Sequence, residues 1–272
     1  MASPFFIVGS GRCGSTWLYY VLRDHPHIAM TDEARVLEFL YHCTVLAGTP
    51  HNQKVELATR DAATMQGVVH ADHVGLFAPL FTRHVKAICE DFYRERFPGK
   101  AYRYWGDKLP EPRAALSARY VWPDARYLVL VRDPRDVLCS WRAHARKPHV
   151  ARDFPELQDL PVAPFARSWD VIYRGLQQEL DDPLLLRYED LCAEPRRHIQ
   201  AILDYLGLAW APELDRALDA NESFANHGTS NDLAATNGRW RRDLGDSDLS
   251  ELLAVCADTM RRFGYDPAES RG

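Results

Sequence analysis

Short apolar runs alternate along the chain with longer segments whose apolar residues fall three and four apart. Phe5 to Val8 is an apolar run bounded by Pro4 and Gly9, the mark of a buried strand. A glycine-rich turn follows, and Ser15 to Arg23 then places Trp17, Leu18, Val21 and Leu22 at helical spacing. His25-Pro26 ends that helix, because the residue before proline is driven out of the helical region. Ile28 to Met30 predicts a second short strand. Tyr127-Leu128-Val129-Leu130-Val131 is the strongest strand signal, continuous and apolar as expected for a parallel strand covered on both faces. Asp133-Pro134 predicts a helix start, with Asp133 as its cap and proline in its first turn. Further along, Leu184 to Leu186 predicts a strand and Pro195 to Leu206 a helix stopping at Gly207. Ser247 to Phe263 predicts a last amphipathic helix.

Strand, glycine turn, helix, strand is the βαβ opening of a parallel sheet. The expected fold class is α/β: a three-layer, mostly parallel central sheet flanked by helices. Residues 44–103 depart from this pattern. They are helical in composition, contain no convincing strand and carry His51, His70, His73 and His84. This stretch is expected to be a helical insertion over the sheet, the usual place for a substrate lid. No repeat, low-complexity tract or linker divides the rest, so residues 1–272 are expected to form one domain.

Composition narrows the function classes. Lysine and arginine number 33 against 38 aspartates and glutamates, a net charge of −5, which is not the balance of a protein that coats nucleic acid. With 46% hydrophobic residues the chain can bury a core and is not disordered. No run of about 18 apolar residues appears, so no integral membrane segment is expected. The N-terminal residues lack the basic start and apolar stretch of a signal peptide. The six cysteines lie 30 to 64 residues apart, too far for a zinc or redox motif, and are expected to be reduced thiols in a cytoplasmic protein. No metal site is expected.

The chemistry starts at Gly9-Ser10-Gly11-Arg12-Cys13-Gly14-Ser15-Thr16, between the first strand and first helix. Glycines there allow a tight turn, and the helix start adds unpaired N–H groups and a positive dipole end, which together suit a phosphate. A nucleoside-triphosphate P-loop reads G-x-x-x-x-G-K-[ST]. Gly9 and Gly14 have that spacing, but Ser15 stands at the lysine position and the loop's cation is Arg12. An ATP-dependent kinase would lack its main charge clamp. The second anchor is Val131-Arg132-Asp133-Pro134-Arg135-Asp136-Val137-Leu138-Cys139-Ser140. Arg132 ends a strand, where ligands of open α/β sheets bind, and Ser140 comes two helical turns later, so both can face one anion. Arg-Asp-Pro by itself also suits a salt-bridged helix cap.

These two motifs resemble those of the sulfotransferases that use 3′-phosphoadenosine-5′-phosphosulfate (PAPS), in their bacterial and glycan-type branch. The resemblance implies a P-loop-like sulfotransferase fold and transfer of a sulfuryl group from PAPS to a hydroxyl or amine, releasing adenosine 3′,5′-bisphosphate. It implies that Arg12, Cys13, Gly14, Ser15, Thr16 and Trp17 hold the 5′-phosphosulfate, with Arg12 offsetting charge on the bridging oxygen. It implies a 3′-phosphate site at Arg132 and Ser140. Three shorter stretches are also similar: Trp105-Gly106-Asp107-Lys108-Leu109-Pro110 to the family's lysine-containing turn, Leu186-Arg187-Tyr188-Glu189-Asp190-Leu191 to its Tyr-Glu-Asp-Leu segment, and Gly238-Arg239-Trp240-Arg241-Arg242 to its late basic loop. Tyr188, Arg239, Trp240 and Arg241 join the expected cofactor contacts.

Three residues are the catalytic candidates: Glu33, Lys108 and Arg12. Glu33 follows the second strand, close to where the first loop delivers its phosphate, and is the expected base. Relatives often have Lys-Glu-Pro there, whereas this chain has Asp32 and Ala34, and Glu33 also suits the first turn of a helix. Lys108 is expected to stabilise the transferring group, its alternative being a surface lysine. Glu38 is a further carboxylate candidate, and His70 and His73 could line the acceptor pocket. The other functional readings are an ATP-dependent small-molecule or nucleotide kinase and a non-catalytic nucleotide-binding module. The acceptor, whether small molecule, sugar or lipid, is not encoded in any motif.

Overall fold

The computed structural model describes residues 2–34, 71–109, 112, 118–119, 121–157, 160–220 and 236–270. The chain opens with β1 (Ser3–Val8), α1 (Ser15–Leu22) and β2 (Ile28–Asp32), followed by α2 (Ala71–Arg96) and β3 (Tyr104–Leu109). Next come β4 (Arg126–Val131), α3 (Pro134–Ala145), α4 (Pro148–Asp153), α5 (Val162–Glu179) and β5 (Leu184–Arg187). The last described helices are α6 (Tyr188–Ala193), α7 (Pro195–Leu206), α8 (Pro212–Ala220), α9 (Trp240–Asp243) and α10 (Asp246–Arg262).

Among the described residues the five strands are all parallel, in the order β2-β3-β1-β4-β5. Alternation along each strand divides the core into two layers. Phe6, Val8, Tyr127 and Val129 pack on one face under α2, α3, α5 and α10. Phe5, Ile7, Leu128 and Leu130 pack on the other under α1, α6, α7 and α8. The result is the expected three-layer α/β arrangement. Asp133 caps α3 by accepting the Arg135 N–H at 2.8 Å, and Gly207 ends α7 in the left-handed region at φ 63°.

Three features differ from the sequence reading. Residues Trp105 to Leu109 are not a turn but belong to β3, which lies between β1 and β2, so the first βαβ unit skips one strand position. The described part of the 44–103 stretch is mainly α2, whose Val85, Cys89 and Tyr93 are buried against the sheet. Its His84 is exposed; His51 and His70, like Glu38, lie outside the described residues, as does the side chain of His73. Helix α5, whose Phe165, Ala166, Trp169, Tyr173 and Leu176 face the core, has no counterpart among the sequence-based expectations.

This topology positions the site. Helix α1 leaves β1 toward one face of the sheet and α3 leaves β4 toward the other. The crevice between the carboxyl ends of these two neighbouring strands is where ligands of open α/β sheets bind.

Candidate active site

Two residues of the β1–α1 loop adopt the left-handed conformation: Arg12 at φ 67° and Gly14 at φ 98°. A Cβ on Gly14 would stand 2.3 Å from the Tyr188 ring, and one on Gly9 would stand 2.3 Å from the Leu130 carbonyl. Glycine is therefore a packing requirement at both positions, and at Gly14 a backbone one as well. The Tyr173 hydroxyl tethers the loop from α5, accepting the Ser10 N–H at 3.1 Å and donating to the Leu130 carbonyl at 2.8 Å. Gly14 is the N-cap of α1 and brings no capping side chain, so N–H groups at the start of the helix remain for an anion. Ser15 and Thr16 stand beside them, half-buried. Cys13 is enclosed under the loop, its N–H bonded to the Ser10 carbonyl, and burial pushes its thiol pKa up. Trp17 is buried among apolar side chains of the lower core.

At the end of β4, Arg132 is 4% exposed. Its guanidinium donates to the Arg12 carbonyl at 3.3 Å and to the Thr236 carbonyl at 2.7 Å, and lies 4.3 Å from the centre of the Tyr188 ring. Its Nε is buried with no hydrogen-bond partner among the described residues. An orphaned donor on a buried cation is costly unless an anion completes it. Arg12 reaches across to Ser140, donating from Nε to Oγ at 3.4 Å. Burial lowers the Arg12 pKa and the charge of Arg132 lowers it further; Lys147 is lowered by burial and by Arg12. Three cations thus crowd one corner, as they would around a phosphate.

The other end of the crevice centres on Lys108, which is 6% exposed and no surface lysine. Its ammonium donates to the Thr16 hydroxyl at 3.2 Å and to the Glu33 carboxylate, and pairs with Asp32 at 2.9 Å. Burial alone would lower its pKa, but the Glu33 hydrogen bond and the charges of Asp32 and Glu33 outweigh it and hold the ammonium above its ordinary value. Glu33 is left-handed at φ 54°, a strained conformation for this residue rather than a helix turn. Beneath it, buried Asp107 accepts the Ala34 N–H and the Thr31 hydroxyl, and burial pushes its pKa up to about 7.

The late loop takes part mainly through its backbone. Arg239 pairs with Asp243 and Arg241 with Glu269, while Trp240 is buried under the guanidinium groups of Arg135 and Arg241. Asp136, on the first turn of α3, accepts the N–H groups of Gly238 at 2.7 Å and Trp240 at 3.0 Å. Thr236 joins the loop to Arg132 through its carbonyl and to the Tyr188 hydroxyl at 3.0 Å. Asp107, Asp136, Tyr173 and Thr236 are the site residues that sequence reasoning missed. Asp107 and Asp136 lie inside motifs that could have pointed to them; Tyr173 and Thr236 do not.

A parallel α/β sheet with a lysine-free glycine loop after β1 and a buried arginine after β4 is a P-loop-like fold. The match to known proteins is specific: a model of the sulfotransferase family matches residues 4–212, and the chain belongs to that family. Sulfuryl transfer is its reaction, and PAPS is the family's general donor. Protein-tyrosine sulfotransferase 1 of Danio rerio is 22% identical over 277 residues, covering 96% of this chain and 72% of the relative. Carbohydrate sulfotransferase 1 of the same organism is 25% identical over 173 residues, covering 53% of this chain and 39% of the relative. Among solved structures, the sulfotransferase domain of the Synechococcus PCC 7002 olefin synthase superposes with a TM-score of 0.59 at 22% identity, over 97% of this chain and 96% of that one. The sulfotransferase domain from the curacin biosynthetic pathway gives 0.61 at 17% identity, over 98% and 99%. These two likenesses support the fold.

Proposed function

We propose that this enzyme binds PAPS across the β1–β4 crevice and uses Glu33 as the base toward a hydroxyl or amine of a small-molecule, sugar or lipid acceptor. The orphaned Nε of buried Arg132, beside Arg12 and Ser140, carries the reading, because it is a ready-made seat for a 3′-phosphate. Arg12 serves this end, where its side chain already lies, rather than the bridging oxygen. Tyr188 walls the same corner. The segment holding Arg239, Trp240 and Arg241 closes it through the backbone around Thr236. The residues Gly14, Ser15 and Thr16 offer N–H and hydroxyl donors to the 5′ end, with Cys13 and Trp17 anchoring them from below.

PAPS supplies an activated sulfuryl group and, in the bisphosphate, a stable leaving group. The protein contributes position and charge, as in phosphoryl transfer. Lys108 joins the Thr16 hydroxyl to the Glu33 carboxylate, so one ammonium touches both the loop and the base. It stabilises negative charge as the acceptor attacks in line, and Glu33 takes the acceptor's proton. The single-domain organisation of residues 1–272, with the acceptor lid within 44–103, belongs to the same reading. So does a cytoplasmic location, supported by Cys13, Cys89, Cys139, Cys192 and Cys256 all being unpaired.

Thermal unfolding tests the donor. A saturating excess of adenosine 3′,5′-bisphosphate, about a hundred times its dissociation constant, raises Tm by roughly 5–10 °C. ATP and ADP raise it less. Equal shifts with ATP, accompanied by ATP turnover, would establish the kinase reading instead; bisphosphate binding without transfer to any acceptor would establish the binding module. With labelled PAPS and an acceptor found by screening, Glu33→Gln keeps bisphosphate affinity and loses about 10²- to 10⁴-fold in turnover.

A further inference from the structure

Successive residues of a strand point to opposite faces, so Asp107 and Lys108 leave β3 in opposite directions. Their shared neighbour is the end of β2, where Thr31 lies opposite Asp107 and Asp32 opposite Lys108. Lys108 holds that end from one face through the Asp32 and Glu33 carboxylates. Asp107 holds it from the other, accepting the Thr31 hydroxyl at 3.0 Å and the Ala34 N–H at 3.1 Å to one oxygen and 3.4 Å to the other. Asp107 is 1% exposed, and the Tyr93 hydroxyl of α2 closes the group, 2.8 Å from both the Thr31 hydroxyl and the Gly106 carbonyl. Between the two fixed points, Thr31 and Ala34, stands Glu33 in its left-handed conformation. A non-glycine residue persists there only where its surroundings over-determine it.

We propose that Asp107 is a positioning residue of the transfer reaction: by gripping Thr31 and Ala34 it holds the strained turn that delivers the Glu33 carboxylate to Lys108. Asp107 touches neither donor nor acceptor and acts only through Glu33. The inference rests on the reading of Glu33 as the base.

The test compares Asp107→Asn, Glu33→Gln and the double variant. Asparagine keeps the size of the side chain but turns an NH₂ toward one of the two donors. The Ala34 amide, bonded to Asp107 in the unaltered enzyme, is expected to exchange its hydrogen at least about tenfold faster in Asp107→Asn. Turnover of labelled PAPS falls about 10- to 100-fold, as expected for a reacting group displaced by about an ångström. Bisphosphate affinity stays within about twofold, which separates positioning from general loosening of the fold. The double variant is no slower than Glu33→Gln alone, because residues acting as one unit are not additive. Additive losses, unaltered exchange at Ala34, or full turnover in Asp107→Asn overturn the proposal while leaving the base reading intact. Full turnover in Glu33→Gln overturns both. Should Asp107→Asn fail to fold, Thr31→Val removes one of the two donors at nearly constant volume. It is then expected to cost about 3- to 10-fold in turnover, again without adding to Glu33→Gln, and additivity there overturns the proposal equally.

Discussion

At Arg132 a guanidinium at the end of a strand is buried with one N–H unmatched, although most buried polar groups in proteins are paired. Under the proposed function an anion completes this group, and a charged hydrogen bond of this kind contributes about 1.5–3 kcal/mol. Arg132→Ala is therefore expected to weaken adenosine 3′,5′-bisphosphate binding by roughly 10- to 100-fold, measured by titration calorimetry. Unchanged affinity would place the 3′-phosphate elsewhere. Gly14 tests the loop in a different way. Both Gly14 and Gly99 are left-handed, at φ 98° and 74°, but a Cβ on Gly14 meets the Tyr188 ring while one on Gly99 meets nothing within 4 Å. Gly99→Ala should cost only the backbone strain, about 1–2 kcal/mol in chemical denaturation. Gly14→Ala should cost clearly more and abolish bisphosphate binding. Equal costs would mean that Tyr188 yields easily and does not shape the loop.

The elements that carry these residues were unevenly legible. The apolar runs of β1, β4 and β5 and the periodicity of α1, α7 and α10 are written plainly in the sequence, because those elements are stabilised by burying apolar surface. Strand β3 is hidden for the opposite reason. Gly106, Asp107 and Lys108 look like turn residues, yet all three are buried, because two of them serve the site and the glycine admits the Phe5 carbonyl. Helix α5 had an ordinary helical signal in Phe165, Ala166, Trp169, Tyr173 and Leu176, and could have been found. The basic loop shows its charge only in part: Arg239 and Arg241, expected at the cofactor, are paired with Asp243 and Glu269. What α3 gives the late loop instead is Asp136, which fastens the N–H of Gly238 and that of Trp240 at the start of α9. Asp136→Asn keeps one of these bonds at most. It is expected to destabilise the enzyme by about 1–3 kcal/mol at pH 7 and, by freeing the Thr236 carbonyl from Arg132, to weaken bisphosphate binding about fivefold. Loss of stability at unchanged affinity would show that the loop is fastened for the fold alone.

Across the whole molecule, the polar groups gathered at the carboxyl ends of the strands set how stability responds to pH. Burial pushes Asp107 up to about 7 and Asp136 up to about 6, the latter helped by the charge of Asp133. Between the ordinary carboxylate value near 4 and these raised values, the folded chain holds protons that the unfolded chain has released. Folding then takes up protons, so stability falls as pH rises through that window. His25 works the other way: burial lowers its pKa, which favours the folded state as pH rises toward about 6.5 and offsets part of the fall. Asp248, held below its ordinary value by the Arg142 hydrogen bond, adds stability that is lost only as pH drops below about 4. With two large carboxylate shifts against one histidine, the ligand-free enzyme is expected to melt highest near pH 4 and to lose Tm from there toward pH 7. A calorimetric series from pH 4 to 8 checks this. In Asp136→Asn the part of the decline between about pH 4 and 6 should flatten, because the group that takes up the proton is gone. A Tm that climbs steadily to pH 7 would show that Asp107 and Asp136 ionise as solvated carboxylates do, and that the end of the sheet is wetter than its packing implies.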